Sequence, residues 1–217
     1  NSLETWFKSN KVLLLLGARQ VGKTTLLKMF FNSKKTTYLN LDTEVDRQSF
    51  FRASPLDPNS AMISLGSPDI LIIDEAQRYP EIGRIVKSWH DSEVKAKIIL
   101  SGSSSLNLLD QSAESLTGRN IKLYLPPLTF SEIVSSQSWY KRYLGNKSLV
   151  GFSNQINSLL LSGLAFGSYP EVVTTPDKVL CLNNLVSDYL LKDVLQSGLV
   201  KTPELLRRLL SLLAHQN

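Results

Sequence analysis

Eight consecutive residues, Gly17-Ala18-Arg19-Gln20-Val21-Gly22-Lys23-Thr24, set two glycines apart by four positions and follow the second with a lysine and a hydroxyl. Glycines let the backbone wrap tightly enough for successive N–H groups to converge on an anion. A helix beginning at the lysine adds the positive end of its dipole. This chemistry suits a polyphosphate. Lys23 would reach the terminal phosphates, the Thr24 hydroxyl would ligate Mg²⁺, and Thr25 is placed for the phosphate nearest the nucleoside. A random chain of this size would match the pattern about one time in a hundred.

A second constellation is Ile70-Leu71-Ile72-Ile73-Asp74-Glu75, four apolar residues ending in two acids. Carboxylates at a buried strand tip are costly unless a cation compensates them. Mg²⁺ held through Asp74 supplies that charge. Glu75, next in line, is the residue type that polarises an attacking water as general base. Taken alone, the pair also fits a surface turn; with the glycine loop upstream it completes a metal–triphosphate pocket.

The elements that must position these groups follow from periodicity. Residues 12–16 are a continuous apolar run, as a strand buried on both faces requires. From residue 23 the period switches, and Leu26, Leu27, Phe30 and Phe31 share one helical face. Further strands are expected at 36–41, 70–73, 97–100 and 121–125, with helices near 44–51 and 81–89. Pro55, Pro58 and Pro68 punctuate a turn-rich stretch between them. Five strands alternating with helices imply an α/β fold with a parallel sheet and right-handed crossovers. After residue 128 helical patterns dominate, at 130–135, 154–163, 179–195 and 203–214. The expected organisation is a core over 1–128 and a smaller helical, lid-like domain over 129–217. The chain stops just after an apolar helix with no cap signal, so a further C-terminal domain is expected beyond Asn217.

Composition narrows the class. With 217 residues, 42% of them hydrophobic and 20% charged, the chain is ordinary globular material. The lone Cys181 excludes an internal disulfide and fits core packing on an apolar helix, which points to a reducing, cytoplasmic setting. No apolar run is long enough to span a bilayer. The net charge of +5 would suit nucleic acid, but the basic residues are scattered rather than clustered. His90, Cys181 and His215 are too far apart in sequence to suggest a metal cluster. Trp6 and Phe7 precede the first strand, where core burial outweighs contact with a nucleobase. Arg142, Arg207 and Arg208 are not clustered as the lid of a small-molecule kinase would need.

A whole strand lies between the glycine loop and the acidic strand, and a glutamate directly follows the aspartate. Together these features resemble the additional-strand ATPases, which include the AAA+ proteins. A guanine-specific Asn-Lys-x-Asp motif is absent, since Asn10-Lys11-Val12-Leu13 and Asn146-Lys147-Ser148-Leu149 both lack the aspartate. The ordered segments GARQVGKTTLL, ILIIDEAQ, ILSGSSS, SLTGR, PLTFSEI and GSYPEVV resemble one group of prokaryotic AAA+-like ATPases over residues 10–195. Ser168 stands where that group has glycine. The resemblance implies ATP binding with Mg²⁺ and hydrolysis coupled to conformational change. A nucleotide-gated switch with negligible turnover, partnered by DNA or protein, is the alternative. It further implies a polar sensor at the tip of the fourth strand. Ser103 is the first choice there, with Ser101 and Ser104 next, against a serine-rich turn capping the following helix. It also places Arg119 where an arginine finger reaches the nucleotide of a neighbouring subunit, which requires a homo-oligomer; a surface arginine after a glycine turn is the competing view. Arg19 is expected to face solvent or a partner.

Overall fold

In the computed structural model the described residues are 2–102, 116–140, 150–187 and 203–215. The chain divides into two compact units, residues 1–126 and 127–217.

The first unit is built on five strands: β1 (Val12–Leu16), β2 (Thr36–Asn40), β3 (Ile70–Asp74), β4 (Lys97–Gly102) and β5 (Asn120–Tyr124). They form one sheet in the order β2-β3-β4-β1-β5, and every neighbouring pair is parallel. Thus β4 separates the strand that leads into the glycine loop from the acidic strand. In a parallel sheet all carboxyl ends lie along one edge, so the glycine loop and Asp74 emerge on the same side.

Side chains alternate between the two faces of the sheet. Val12, Leu14, Leu16, Leu71, Ile73, Ile98 and Leu100 pack with Phe50, Met62, Val86 and Trp89. Those partners come from α3 (Glu44–Ala53), α4 (Pro58–Ser64) and α5 (Ile82–Asp91). On the other face Leu13, Leu15, Ile70, Ile72 and Ile99 pack with Leu3, Trp6, Leu27 and Phe31, from or beside α1 (Ser2–Phe7) and α2 (Lys23–Phe30). Trp6 is fully buried, and its indole N–H donates to the Lys11 carbonyl at 2.7 Å.

Two α-helices of the first unit depart from the periodicity-based expectation. The proline-punctuated stretch contains α4, because Pro58 occupies the first turn, where a missing N–H costs nothing. The Asp57 carboxylate caps it by accepting from the N–H groups of Asn59 and Ser60. The chain also opens with α1, too short for its period to register.

The second unit is helical over its described residues. It holds α6 (Phe130–Ser135), α7 (Ser153–Phe166), α8 (Pro170–Thr174), α9 (Lys178–Leu185) and α10 (Pro203–His215). A capping box starts α6, with Thr129 and Glu132 exchanging side-chain-to-backbone bonds. Gly167 ends α7 at a φ of 76°, where a side chain would be strained. Ser168 is accommodated next to it, its carbonyl accepting from the Leu128 N–H at 2.9 Å. Cys181 is buried on α9. The part of the expected 179–195 helix from residue 188 on lies outside the described residues.

A cluster of edge-on aromatic rings packs on the α3/α5 face of the first unit. Trp89 meets Phe50 edge-on at 5.8 Å, and Phe50 meets Tyr79 at 5.2 Å. Trp89→Ala should destabilise the unit by about 3–5 kcal/mol, read as a lower urea midpoint.

Candidate functional site

The glycine loop links β1 to α2, and its backbone has the shape its residues suggest. Gly17 is buried, and a Cβ there would collide with the Leu125 carbonyl oxygen and press on Val21. Gln20 and Gly22 both take left-handed backbone, at φ 60° and 94°. Gly22 is the N-cap of α2, and the first helical bond runs from the Leu26 N–H to its carbonyl at 2.9 Å. The N–H groups of residues 23–25 therefore precede the helical ladder, the position from which a helix N-terminus presents donors to an anion. The Lys23 ammonium folds back over the loop and donates to the carbonyls of Gly17, at 2.8 Å, and Ala18, at 2.9 Å. These are the bonds a phosphate would take over. Thr25 is exposed on the first turn.

Register brings the rest of the site to the same edge. Asn40 pairs with Asp74, and Ile73 pairs with Leu100, which sets Asp74 beside Ser101. Leu15 pairs with Ser101, two residues before the loop begins. Alternation places Asp74 and Ser101 on the face covered by α2, because Ile70, Ile72 and Ile99 lie there.

Asp74 is the centre of this arrangement and is buried. Its Oδ1 accepts from the Ser101 hydroxyl at 2.7 Å and from the Glu75 N–H at 3.0 Å. Its Oδ2 accepts from the Thr24 hydroxyl at 2.8 Å and from the Tyr38 hydroxyl. Burial is the largest influence on this carboxyl and pushes its pKa up. The bonds from Tyr38, Ser101, Thr24 and the Glu75 N–H together outweigh burial and hold the pKa below the ordinary carboxylate range.

Glu75 behaves in the opposite way. Burial, and then the charges of Asp42 and Asp74, hold its pKa above the ordinary value, against smaller effects of Gln77 and Arg19. Its backbone is left-handed at φ 53°, a costly conformation for glutamate and one that recurs at functional sites. Its Oε2 accepts from the Gln77 amide at 2.5 Å. Two adjacent carboxyls are thus driven apart, one held below its ordinary pKa and the other above it.

Arg19 is half-buried, and its charge is the smallest of the influences on Glu75. Ser103 and Ser104 lie outside the described residues. Among the described residues, Ser101 is the serine that hydrogen-bonds Asp74. Arg119 sits at the opposite edge of the sheet: its carbonyl accepts from the N–H of Val12, the first residue of β1, at 2.9 Å. Its guanidinium pairs with Asp91 at 2.5 Å.

Sequence reasoning passed over Tyr38 and Asp42. Tyr38 pairs with Ile72 and so shares the face of Asp74, a parity visible once the parallel register is assumed. Burial, and then its bond to Asp74, raise its phenol pKa above the usual value. Asp42, one residue past Leu41, pairs with Arg78 at 2.6 Å.

The donor set fits a hard divalent cation. One hydroxyl and one ionised carboxylate lie 2.8 Å apart at the mouth of the loop. Magnesium commonly takes few protein oxygens and completes its shell with phosphates and water.

Sheet order, glycine loop and paired acids define a P-loop nucleotide-binding protein of the additional-strand class. A family profile described as an AAA domain matches residues 9–134, and the chain belongs to that family. It is 33% identical over 126 residues to uncharacterized proteins of Mycobacterium bovis and Mycobacterium tuberculosis, covering 58% of this chain and 27% of theirs. It is 27% identical over 175 residues to an uncharacterized protein of Methanocaldococcus jannaschii, covering 78% of this chain and 38% of that one. The chain therefore spans well under half the length of these relatives. Among solved structures it is similar to Drosophila ORC bound to DNA, at TM-score 0.49 and 15% identity over 86% of this chain and 60% of that one. A DNA replication initiation factor gives TM-score 0.44 and 15% identity over 89% and 65%. No helix among the described residues is long and apolar enough to cross a membrane.

Ser101→Ala should remove one charge-assisted bond from Asp74 and cost about 2 kcal/mol at neutral pH. A carboxyl whose folded pKa is depressed stabilises the fold above its unfolded value, about 3.9, and that contribution fades as pH falls through the folded pKa. The deficit of the variant should therefore be full at pH 7 and shrink on acidification below pH 4, as measured by urea unfolding at each pH.

Proposed function

We propose that this chain binds Mg-ATP through residues 17–24 and hydrolyses it to ADP and phosphate. The observation that carries the proposal is the Asp74 carboxylate, kept ionised in a buried cage and set 2.8 Å from the Thr24 hydroxyl at the mouth of the loop. A bound magnesium ion would supply charge neutralisation across the phosphates and order the waters of its shell. Thr24 and Asp74 would hold it, the first directly and the second through water.

The chain's own groups do the remainder. Lys23 leaves the Gly17 and Ala18 carbonyls for the terminal phosphates. The loop N–H groups orient the polyphosphate. Glu75, its pKa raised by burial and by its two acidic neighbours, accepts a proton from the attacking water. Ser101 and Tyr38 fix the orientation of Asp74. Arg119 lies too far along the strands to serve the nucleotide of its own chain, so a role for it as an arginine finger belongs to a neighbouring copy.

The ion pair of Arg119 with Asp91 supports a second reading, a nucleotide-gated switch that turns over negligibly unless a partner frees the arginine. Steady-state phosphate release across protein concentrations separates the two. Specific activity that rises with concentration in wild type and stays flat in Arg119→Ala supports the finger; equal behaviour of both removes it.

Lys23→Ala should abolish nucleotide binding by calorimetry. Glu75→Gln should keep binding and lower kcat by at least about 100-fold. Undiminished hydrolysis by Glu75→Gln would remove the base assignment.

A further inference from the structure

An ionised carboxylate offers about four lone-pair sites to donors. Around Asp74 all four are taken. Ser101 and the Glu75 N–H hold Oδ1; Thr24 and Tyr38 hold Oδ2. A metal-held water that bonds to Asp74 has nowhere to donate unless one of the four leaves.

The four donors differ in how freely they can move. Ser101 is fully buried within β4, between β3 and β1. The Glu75 N–H belongs to the main chain. Thr24 sits on the first turn of α2, and its hydroxyl can bind a metal through a lone pair while its hydrogen stays on Asp74. Tyr38 alone lies on the edge strand, half-buried, with its hydroxyl at the end of a long side chain. Its ring is held by the Lys28 ammonium, 5.1 Å from the centroid, and this contact does not depend on the hydroxyl. Water can satisfy a released phenol on a half-exposed edge at little cost.

We infer that Tyr38 is a displaceable latch: its hydroxyl fills the Asp74 acceptor site that a magnesium-bound water needs, and metal–nucleotide binding must release it. The latch is a positioning device rather than a catalytic group. Without metal it stabilises the buried charge of Asp74. On loading it sets a threshold, so that nucleotide without its cation leaves the bond intact. This inference rests on the Mg-nucleotide reading of the site and concerns only how β2 responds to it.

The two states give opposite signs for one substitution. Tyr38→Phe keeps the ring over Lys28 and deletes the hydroxyl. The metal-free protein loses a charge-assisted bond, so its Tm in EDTA should fall. ADP affinity in EDTA should not change. The gain in ADP affinity on adding MgCl₂ should grow by about tenfold, the worth of one bond to a charged group that no longer has to be broken. Ser101→Ala is the control: it also takes a donor from Asp74, but a fixed one on Oδ1, so its Tm should fall without any increase in the magnesium-dependent gain.

Calorimetric titration of wild type, Tyr38→Phe and Ser101→Ala with ADP, in EDTA and in MgCl₂, decides the matter. A larger magnesium-dependent gain in Tyr38→Phe alone supports the latch. An unchanged or smaller gain in Tyr38→Phe, with normal wild-type binding, overturns the latch and leaves the nucleotide reading standing. An equal increase in both variants also overturns it, because the effect would then come from any loss of donors at Asp74. Absence of ADP binding by wild type in MgCl₂ overturns both.

Discussion

A carboxylate buried beneath a phosphate-binding loop constrains almost everything around it. Burying the charge of Asp74 without compensation would cost several kcal/mol or drive it to the neutral form. The fold answers with a hydroxyl from β2, one from β4, one from α2 and an N–H from its own turn. Each donor arrives from a different element, so the sheet order and register are conditions for the charge to exist. Slip β4 by one residue and Ser101 turns to the opposite face. The acid therefore ties the three elements together at the edge where the loop opens.

The same edge separates the behaviour of neighbouring acids. Asp74 is saturated with donors; Glu75 receives one amide and faces two like charges. One peptide bond apart, the two side chains are pushed in opposite directions by their surroundings. Glu75 itself takes left-handed backbone, at φ 53°.

Much of this was legible in the sequence. Short apolar runs and the β-rich segment 36–41 mark all five strands to within two residues, and alternation of strands with helical patterns implies the parallel sheet. The loop and the acidic pair were found from residue type and spacing alone, because their chemistry is written in consecutive residues. What was missed depends on contacts between distant segments. Tyr38 reads as an ordinary β-former until β2 is laid parallel to β3, when it falls on the face of Asp74. The register Ile73 to Leu100 brings Ser101 to the acid, a contact that also needs β4 laid against β3. The helix at Pro58 was hidden because proline signals a break in general but is welcome in a first turn.

The close approach at Gly17 couples the loop to a neighbouring strand end. The Leu125 N–H donates to the Leu16 carbonyl at 2.7 Å, and the Leu125 carbonyl fills the space a side chain at Gly17 would need. Leu125 is followed at once by Pro126-Pro127, where the first unit gives way to the second. Proline restricts its own φ and the residue before it, so Leu125 has few backbone conformations open to it. Any residue bearing a side chain at position 17 would therefore have to push the start of the loop away from the end of β5.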